Sequence, residues 1–301
     1  MPAGRFAPSP TAPLHLGNLR TALAAWLFAR SSSSRFLLRV EDLDPVAARA
    51  EHVASHLADL AALGLDWDGP VVHQSDRRDR HDEALAALVV AGRTYPCYCT
   101  RREVAEASAA PHGEQVEGAY PGTCRHLSAG ERAAREASGR RPALRLRAEG
   151  SRAVAVDRLL GRLAVEVDDF VLRRADGTPA YNLAVVVDDA DQGVGEVVRG
   201  DDLWPTTPRQ VHLAGLLGLA VPAYAHVPLV LGPDGERLAK RHGAVGLADR
   251  AAVGEPARRV RSRLAASLGL CDPADDPSLD DLLAAFDPDR LTRTPWILPD
   301  P

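Results

Sequence analysis

Several residue types are nearly missing from this chain, and each shortage excludes something. Four cysteines in 301 residues are too few for a disulfide scaffold. In a reducing compartment, clustered cysteines point instead to a metal or to catalysis. No apolar stretch approaches the ~20 residues that a membrane span needs. The first residues, Met1-Pro2-Ala3-Gly4-Arg5-Phe6, lack a basic segment followed by an apolar run. A cytoplasmic location and no membrane partner are therefore expected. The net charge of −5 argues against non-specific coating of nucleic acid, but leaves room for a local basic groove.

The sharpest shortage is lysine. Lys240 is the single lysine among 36 basic residues. Arginine is a wide planar fork and lysine a compact point charge, so the two do not exchange freely at a tight phosphate site. The one retained lysine therefore marks a candidate phosphate contact, against the plain alternative of a surface residue retained by chance.

What remains is ordinary for a globular protein. Hydrophobic residues make up 46% and charged residues 26%, which excludes disorder as the main state. Gly4 to Pro8 reads as a strand end, followed by a Pro/Gly-rich turn to Gly17. Leu19, Ala22, Leu23, Trp26 and Leu27 then recur at helical spacing, with Asn18 expected as N-cap. Phe36 to Val40 reads as a buried strand ending at Glu41-Asp42-Leu43-Asp44-Pro45. Helices are expected from Val46 to Leu63 and from Asp79 to Ala91, closed by Gly64 and Gly92.

This is the opening of an α/β fold with a parallel sheet, in which ligands gather at the carboxyl ends of strands. Between Tyr95 and Val171 short β-prone pieces replace the alternation and read as an inserted domain. Helices from Tyr181 and from Thr207 to Leu217, with strands near Val197 and from Tyr224 to Leu231, restore the alternation. The C-terminal stretch reads as helical with Pro/Asp-rich breaks.

Four groups of residues carry chemistry. Pro8-Ser9-Pro10-Thr11 through His15-Leu16-Gly17-Asn18 joins a strand end to a helix start, whose free N–H groups suit a phosphate. Gly17 lets a ligand approach, and His15 can donate to phosphate oxygens. Arg237-Leu238-Ala239-Lys240-Arg241 follows a Gly-rich turn and presents three cations in five residues, a loop able to hold a triphosphate or simply a solvated basic loop. Cys97, Cys99 and Cys124 suit a closed tetrahedral Zn²⁺ site, with Tyr120, His126 and His112 open as the fourth ligand; buried reduced thiols are the alternative. Arg5, Ser9, Glu41, Tyr181 and Arg199 sit at expected strand and helix ends. Together they could read a zwitterion, with Glu41 facing an ammonium and the arginines facing carboxylates.

Taken in order, these motifs resemble the class I glutamyl-tRNA synthetase family over residues 4 to 245. The residues from Arg5 to Asn18 are similar to its HIGH region, and Arg39-Val40-Glu41-Asp42-Leu43-Asp44-Pro45 to its second-strand motif. Val198-Arg199-Gly200-Asp201-Asp202-Leu203 with Thr207-Pro208-Arg209-Gln210 resembles a third, and Arg237 to Arg241 the KMSKS loop. Trp67-Asp68-Gly69, the cysteine pattern and the short stretch after that loop resemble the truncated branch that moves glutamate onto the queuosine base of tRNA(Asp).

The resemblance implies a Rossmann-type parallel sheet in two halves, 1–94 and 176–245. Between them lies an inserted zinc-containing α+β subdomain, 95–175. A short helical region, 246–301, follows without an anticodon-binding domain. It implies glutamate on Arg5, Ser9, Glu41, Tyr181 and Arg199, and ATP with Mg²⁺ on His15, Gly17, Asn18 and Lys240, with His15 and Lys240 catalytic. It also implies one Zn²⁺ on Cys97, Cys99, Tyr120 and Cys124, which selects Tyr120 as fourth ligand, and a monomer that meets tRNA(Asp) carrying queuosine. Arg237 and Ala239 depart from the KMSKS pattern, and loss of the serine hydroxyl costs ~1 kcal/mol at most. Two other readings are a short glutamyl-tRNA synthetase charging tRNA(Glu), and a non-catalytic paralogue that binds RNA. The arginines from Arg258 to Arg263 read either as RNA phosphate contacts or as a solvated helix face.

Overall fold

A computed structural model describes residues 2–108, 119–238, 243 and 245–298. His112, Ala239, Lys240 and Arg241 lie outside the described residues.

Strand β1 (Ala3–Phe6), helix α1 (Leu16–Ser31), strand β2 (Arg35–Val40), helix α2 (Ala50–Ala62), strand β3 (Val72–His73) and helix α3 (Arg78–Val90) form the first α/β run. Strands β1, β2 and β3 are parallel neighbours in that order. After the middle segment come α6 (Tyr181–Asp191), β9 (Glu196–Gly200), α7 (Thr207–Leu217), β10 (Ala223–Val227) and β11 (Val230–Leu231). Strand β9 runs parallel to β10, and a parallel bridge from Ala3 to Val194 sets β1 beside the chain entering β9. The sheet order therefore reverses at β1 and β9. Such a reversal opens a crevice at the carboxyl ends of the strands.

Helix α1 is apolar around most of its circumference because it is covered on both sides. Leu16, Leu19, Leu23 and Leu27 are fully buried. One side packs on β1 and β9, the other on α9 (Ala257–Ser267) and α10 (Leu279–Ala285). A helix buried all round needs no polar face. Arg20 is the exception inside it: its guanidinium donates to the Ser267 hydroxyl and carbonyl and to the Pro228 carbonyl, tying α1 to the C-terminal helices.

The middle segment divides between two sheets. Strands β4 (Thr94–Cys97), β5 (Ala143–Leu146) and β8 (Val171–Arg173) form an antiparallel sheet, with α4 (Arg101–Ser108) and α5 (Ala129–Ala137) in its connections. The hairpin of β6 (Arg152–Asp157) and β7 (Gly161–Glu166) instead extends the main sheet, since Asp157 pairs with Tyr224 of β10. The C-terminal stretch adds α8 (Leu247–Ala252) and a strand not expected from sequence, β12 (Trp296–Ile297), parallel to β11.

Three local expectations change. The N-cap of α1 is His15, not Asn18. Helix α2 begins at Ala50 rather than Val46, because the Asp44 side chain accepts from the amides of Val46 and Ala47 and holds a turn. The expected strand from Tyr224 to Leu231 breaks after Val227, where Pro228 has no N–H to give a ladder. Among the described residues no helix is long and apolar enough to cross a membrane.

Candidate active site

The crevice at the switch point is a cavity of about 580 Å³. Arg5, Ser9, His15, Gly17, Asn18, Glu41, Tyr181 and Arg199 all line it. Residues far apart in sequence thus converge because β1, β2 and β9 end at one place. A bond from the Glu41 amide to the Pro8 carbonyl (3.0 Å) clamps the end of β2 against the Ser9 loop.

The helix start is built by His15. Its Nδ1 accepts from the amides of Gly17 (3.1 Å) and Asn18 (3.3 Å), while Asn18 Oδ1 accepts from the His15 amide (3.1 Å). With Nδ1 used as acceptor, a neutral imidazole carries its proton on Nε2, the one donor left for a ligand. Burial lowers the His15 pKa, opposed by the field of Asp202, and so favours that neutral form. A Cβ on Gly17 would stand 2.9 Å from the imidazole, so the glycine makes room for the cap.

The charged side chains are held from behind. Buried Arg5 donates through Nε and Nη2 to Asp189 (3.3 and 3.4 Å) and through Nη1 to the Val198 carbonyl. Arg39, fully buried, donates to Asp189 (2.7 Å) and Gln192 (2.7 Å), and lies 3.5 Å from Glu41. Burial pushes the Glu41 pKa up, against the pull of Arg39 and Arg5. Burial acts on Asp189 in the same sense, but Arg5 and Arg39 outweigh it and hold its pKa below the ordinary value. Arg199 donates to the Tyr181 hydroxyl (3.2 Å), to Thr207 Oγ1 (2.8 Å) and to His226 Nε2 (3.0 Å). The cavity therefore pairs one partly buried carboxylate with two fixed guanidiniums, an arrangement complementary to an amino acid.

Sequence reasoning missed these supports. Arg39 stood inside a quoted motif without a role, Asp188-Asp189 interrupt an apolar helix, and His226 interrupts an apolar strand. A buried charge within an apolar run was the available signal. Asp202 was also missed: it lines the cavity and lies 3.3 Å from Arg237, the first residue of the KMSKS-like loop. Lys240 belongs to the part of that loop outside the described residues.

The cysteines form a second centre. The sulfurs of Cys97, Cys99 and Cys124 lie within 4.8 Å of one another, and Cys99 Sγ is 3.5 Å from Cys124 Sγ. The Tyr120 hydroxyl is 3.3 Å from Cys97 Sγ and 3.6 Å from Cys99 Sγ, and accepts from the Cys124 amide (2.8 Å). His126 is not in the 4.8 Å cluster. Tetrahedral zinc with Zn–S bonds of ~2.3 Å sets its sulfurs ~3.8 Å apart. The spacing and the soft donors fit that ion. Gly122, at φ +83°, makes the turn that brings Tyr120 and Cys124 to one point. Asp168 links this centre to helix α7, accepting from the Tyr120 amide (3.2 Å) and from Arg209 (2.6 Å).

Comparison with known proteins agrees with this geometry. Residues 3–260 match the family of class I tRNA synthetases (E and Q), catalytic domain. A glutamyl-Q tRNA(Asp) synthetase of Nocardia farcinica is 64% identical over 298 residues, covering 99% of this chain and 93% of that protein. A glutamate–tRNA ligase of Oleidesulfovibrio alaskensis is 42% identical, but there the match spans 96% of this chain and only 62% of the ligase. The crystal structure of a glutamate tRNA ligase from Elizabethkingia meningosepticum, in complex with its amino acid, superposes with a TM-score of 0.84 at 26% identity. That match covers 99% of this chain and 67% of the ligase. The chain belongs to the class I tRNA synthetases of the glutamate and glutamine type and, within them, to the family of glutamyl-Q tRNA(Asp) synthetases.

Proposed function

We propose that the protein activates L-glutamate with ATP and transfers the glutamyl group to the queuosine base in the anticodon of tRNA(Asp). The carrying observation is the convergence of Glu41, Arg5, Arg199 and the His15-capped helix start on one cavity. Glu41 meets the substrate ammonium, while Arg5, Arg199, Tyr181 and Ser9 meet its carboxylates. A carboxylate oxygen then attacks the α-phosphorus of ATP. The new P–O bond gives glutamyl-adenylate, and the bond to the β-phosphate breaks to release pyrophosphate. His15 Nε2, the positive end of the α1 dipole and Lys240 receive the phosphate charge. Catalysis here is positioning and electrostatic stabilisation, with no protein nucleophile. A hydroxyl of the modified base next attacks the adenylate carbonyl, and AMP leaves.

Mg²⁺ accompanies ATP and neutralises its phosphates. Cys97, Cys99, Cys124 and Tyr120 would hold Zn²⁺ as a structural ion that ties the segment together. The stretches 1–94 and 176–245 serve as the two catalytic halves, with 95–175 inserted but returning its 152–166 hairpin to the main sheet, and 246–301 as the helical closure. The enzyme acts as a monomer.

The test is glutamate-dependent ATP–pyrophosphate exchange without tRNA, followed by transfer of labelled glutamate to tRNA(Asp) with and without queuosine. Exchange together with queuosine-dependent transfer is expected. Charging of tRNA(Glu) in place of that transfer would overturn the acceptor. No exchange under any condition would overturn the activity and leave the RNA-binding paralogue.

A further inference from the structure

Arg199 is restrained by His226 and Asp157, which no reading of the motifs includes. Its Nε–H is 3.0 Å from His226 Nε2. An arginine Nε can only donate, so His226 Nε2 must be an unprotonated acceptor. The imidazole proton then sits on Nδ1 and goes to Asp157 Oδ2, 2.6 Å away. Asp157 is itself fully occupied: Oδ2 also accepts from the His226 amide (2.9 Å), and Oδ1 from the amides of Leu159 and Leu160 (2.9 Å each). Thr207 Oγ1 accepts from Arg199 Nη2 and lies 3.1 Å from His226 Nε2 and 3.3 Å from the Leu203 carbonyl, either of which can take its hydrogen. Asp157, His226, Thr207 and Arg199 are all buried. The rings of Trp204 and Tyr224 lie 5.1 and 6.0 Å from the imidazole.

We infer that Asp157 and His226 are positioning residues: the carboxylate fixes the Nδ1–H tautomer of His226, and its Nε2 locks Arg199 in the orientation that binds the carboxylate of the amino-acid substrate. Asp157 stands at the end of β6, where that strand pairs with β10 at Tyr224. The hairpin of the middle segment thereby reaches the amino-acid site from behind the sheet. The charged groups that face the imidazole are Asp157 of β6, Arg199 of β9 and, at longer range, Arg5 of β1. Burial, opposed by Asp157, lowers the His226 pKa and keeps the ring neutral. A proton on Nε2 would point at the Arg199 Nε–H and release the guanidinium.

The inference rests on the reading that Arg199 faces glutamate, and its test separates the two. Wild type, H226L and H226Q are compared in ATP–pyrophosphate exchange with glutamate and ATP varied separately. Leucine cannot accept from Arg199, whereas the glutamine amide can accept from it and still donate to Asp157. The expected result is a glutamate KM raised at least tenfold in H226L. Its kcat and ATP KM should change less than threefold, and H226Q should recover most of the loss. An unchanged glutamate KM in folded H226L would overturn the inference. So would equal damage to kcat and both KM values in H226L and H226Q, which is the signature of a scaffold residue.

Nitrogen-15 NMR of His226 in the wild-type protein gives a test that does not depend on a variant folding. An Nδ1–H signal with an unprotonated Nε2 is expected, and an Nε2–H signal overturns the relay. Absence of any glutamate-dependent exchange in wild type would instead refute the activity, while the NMR arm still decides the tautomer.

Discussion

Glu41 is withdrawn from water beside Arg39, and burial pushes its pKa above the ordinary carboxylate value. An ammonium-binding carboxylate must be ionised. The glutamate KM is therefore expected to rise as pH falls toward that raised pKa, with little change in kcat. E41Q should remove this acid limb and raise the KM at least tenfold, ~1.4 kcal/mol of binding. Stability moves the other way. A carboxyl with a raised folded pKa binds protons more tightly when folded than when unfolded, so its burial opposes folding at neutral pH and the opposition fades as pH falls. E41Q is accordingly expected to melt at a higher temperature than wild type at pH 7, and calorimetry checks it. For Lys240, replacement by alanine should slow exchange at least tenfold, ~1.4 kcal/mol of barrier. An unchanged exchange rate would remove Lys240 from the phosphate role.

The contrast between these two residues and their neighbours shows what a sequence reveals. Glu41, Arg199 and Tyr181 stood at element ends, where polar residues invite a functional reading. Arg39, Asp189 and His226 also lie within the last three residues of their elements, as Arg199 does, but their roles depend on which strand lies alongside. Arg39 and Asp189 are 150 residues apart and meet at 2.7 Å because the neighbouring strands β1 and β2 bring Arg5 and Arg39 to the same carboxylate.

Among the elements, α1 and the cysteine loop carry the most weight. His15 caps α1, and in the proposed mechanism its Nε2 meets a phosphate, which would couple helix stability to the ligand site. In the cysteine loop, Tyr120 connects through Asp168 to Arg209 on α7. Replacing Cys124 with serine, or treating wild type with a strong chelator, is expected to release zinc as measured by elemental analysis. The melting temperature should fall with it, because a structural site contributes its binding energy to folding. A variant that keeps its melting temperature after losing the metal would show that the three thiols and Tyr120 pack without it. The periodicity of α1 was readable, but its cap was assigned three residues late. A histidine cap is unusual, and asparagine is a common one.

At the scale of the whole molecule, the arginines from Arg258 to Arg263 answer a question the sequence left open. Arg258 stays largely exposed, but each of Arg258, Arg259, Arg261 and Arg263 is engaged with the chain itself. Arg259 donates to the carbonyls of Pro273, Ala274 and Asp275, and Arg261 to those of Leu63 and Pro277. Arg258 pairs with Asp276 (2.8 Å) and Arg263 with Glu255 (3.4 Å). These contacts fasten α9 to the irregular C-terminal chain and, through Leu63, to the end of α2. R261A is expected to lose about 1–3 kcal/mol of stability in urea, within the range for charge-assisted bonds to backbone. The salt dependence of its tRNA binding should match wild type. A flatter salt slope would instead place Arg261 on a phosphate.

The sequence by itself determined the alternation of strands and helices, the ordered motifs and the residue types of both centres. These follow from local periodicity and from side-chain chemistry that needs no partner to be recognised. Only the tertiary structure decided that the 152–166 hairpin joins the main sheet, that Asp189 and His226 orient the arginines, and that Arg258 to Arg263 pair with carbonyls and carboxylates of the chain. Each of those outcomes depends on pairing between distant segments. Strand order and burial, which chain spacing does not encode, set which partners a buried charge can reach.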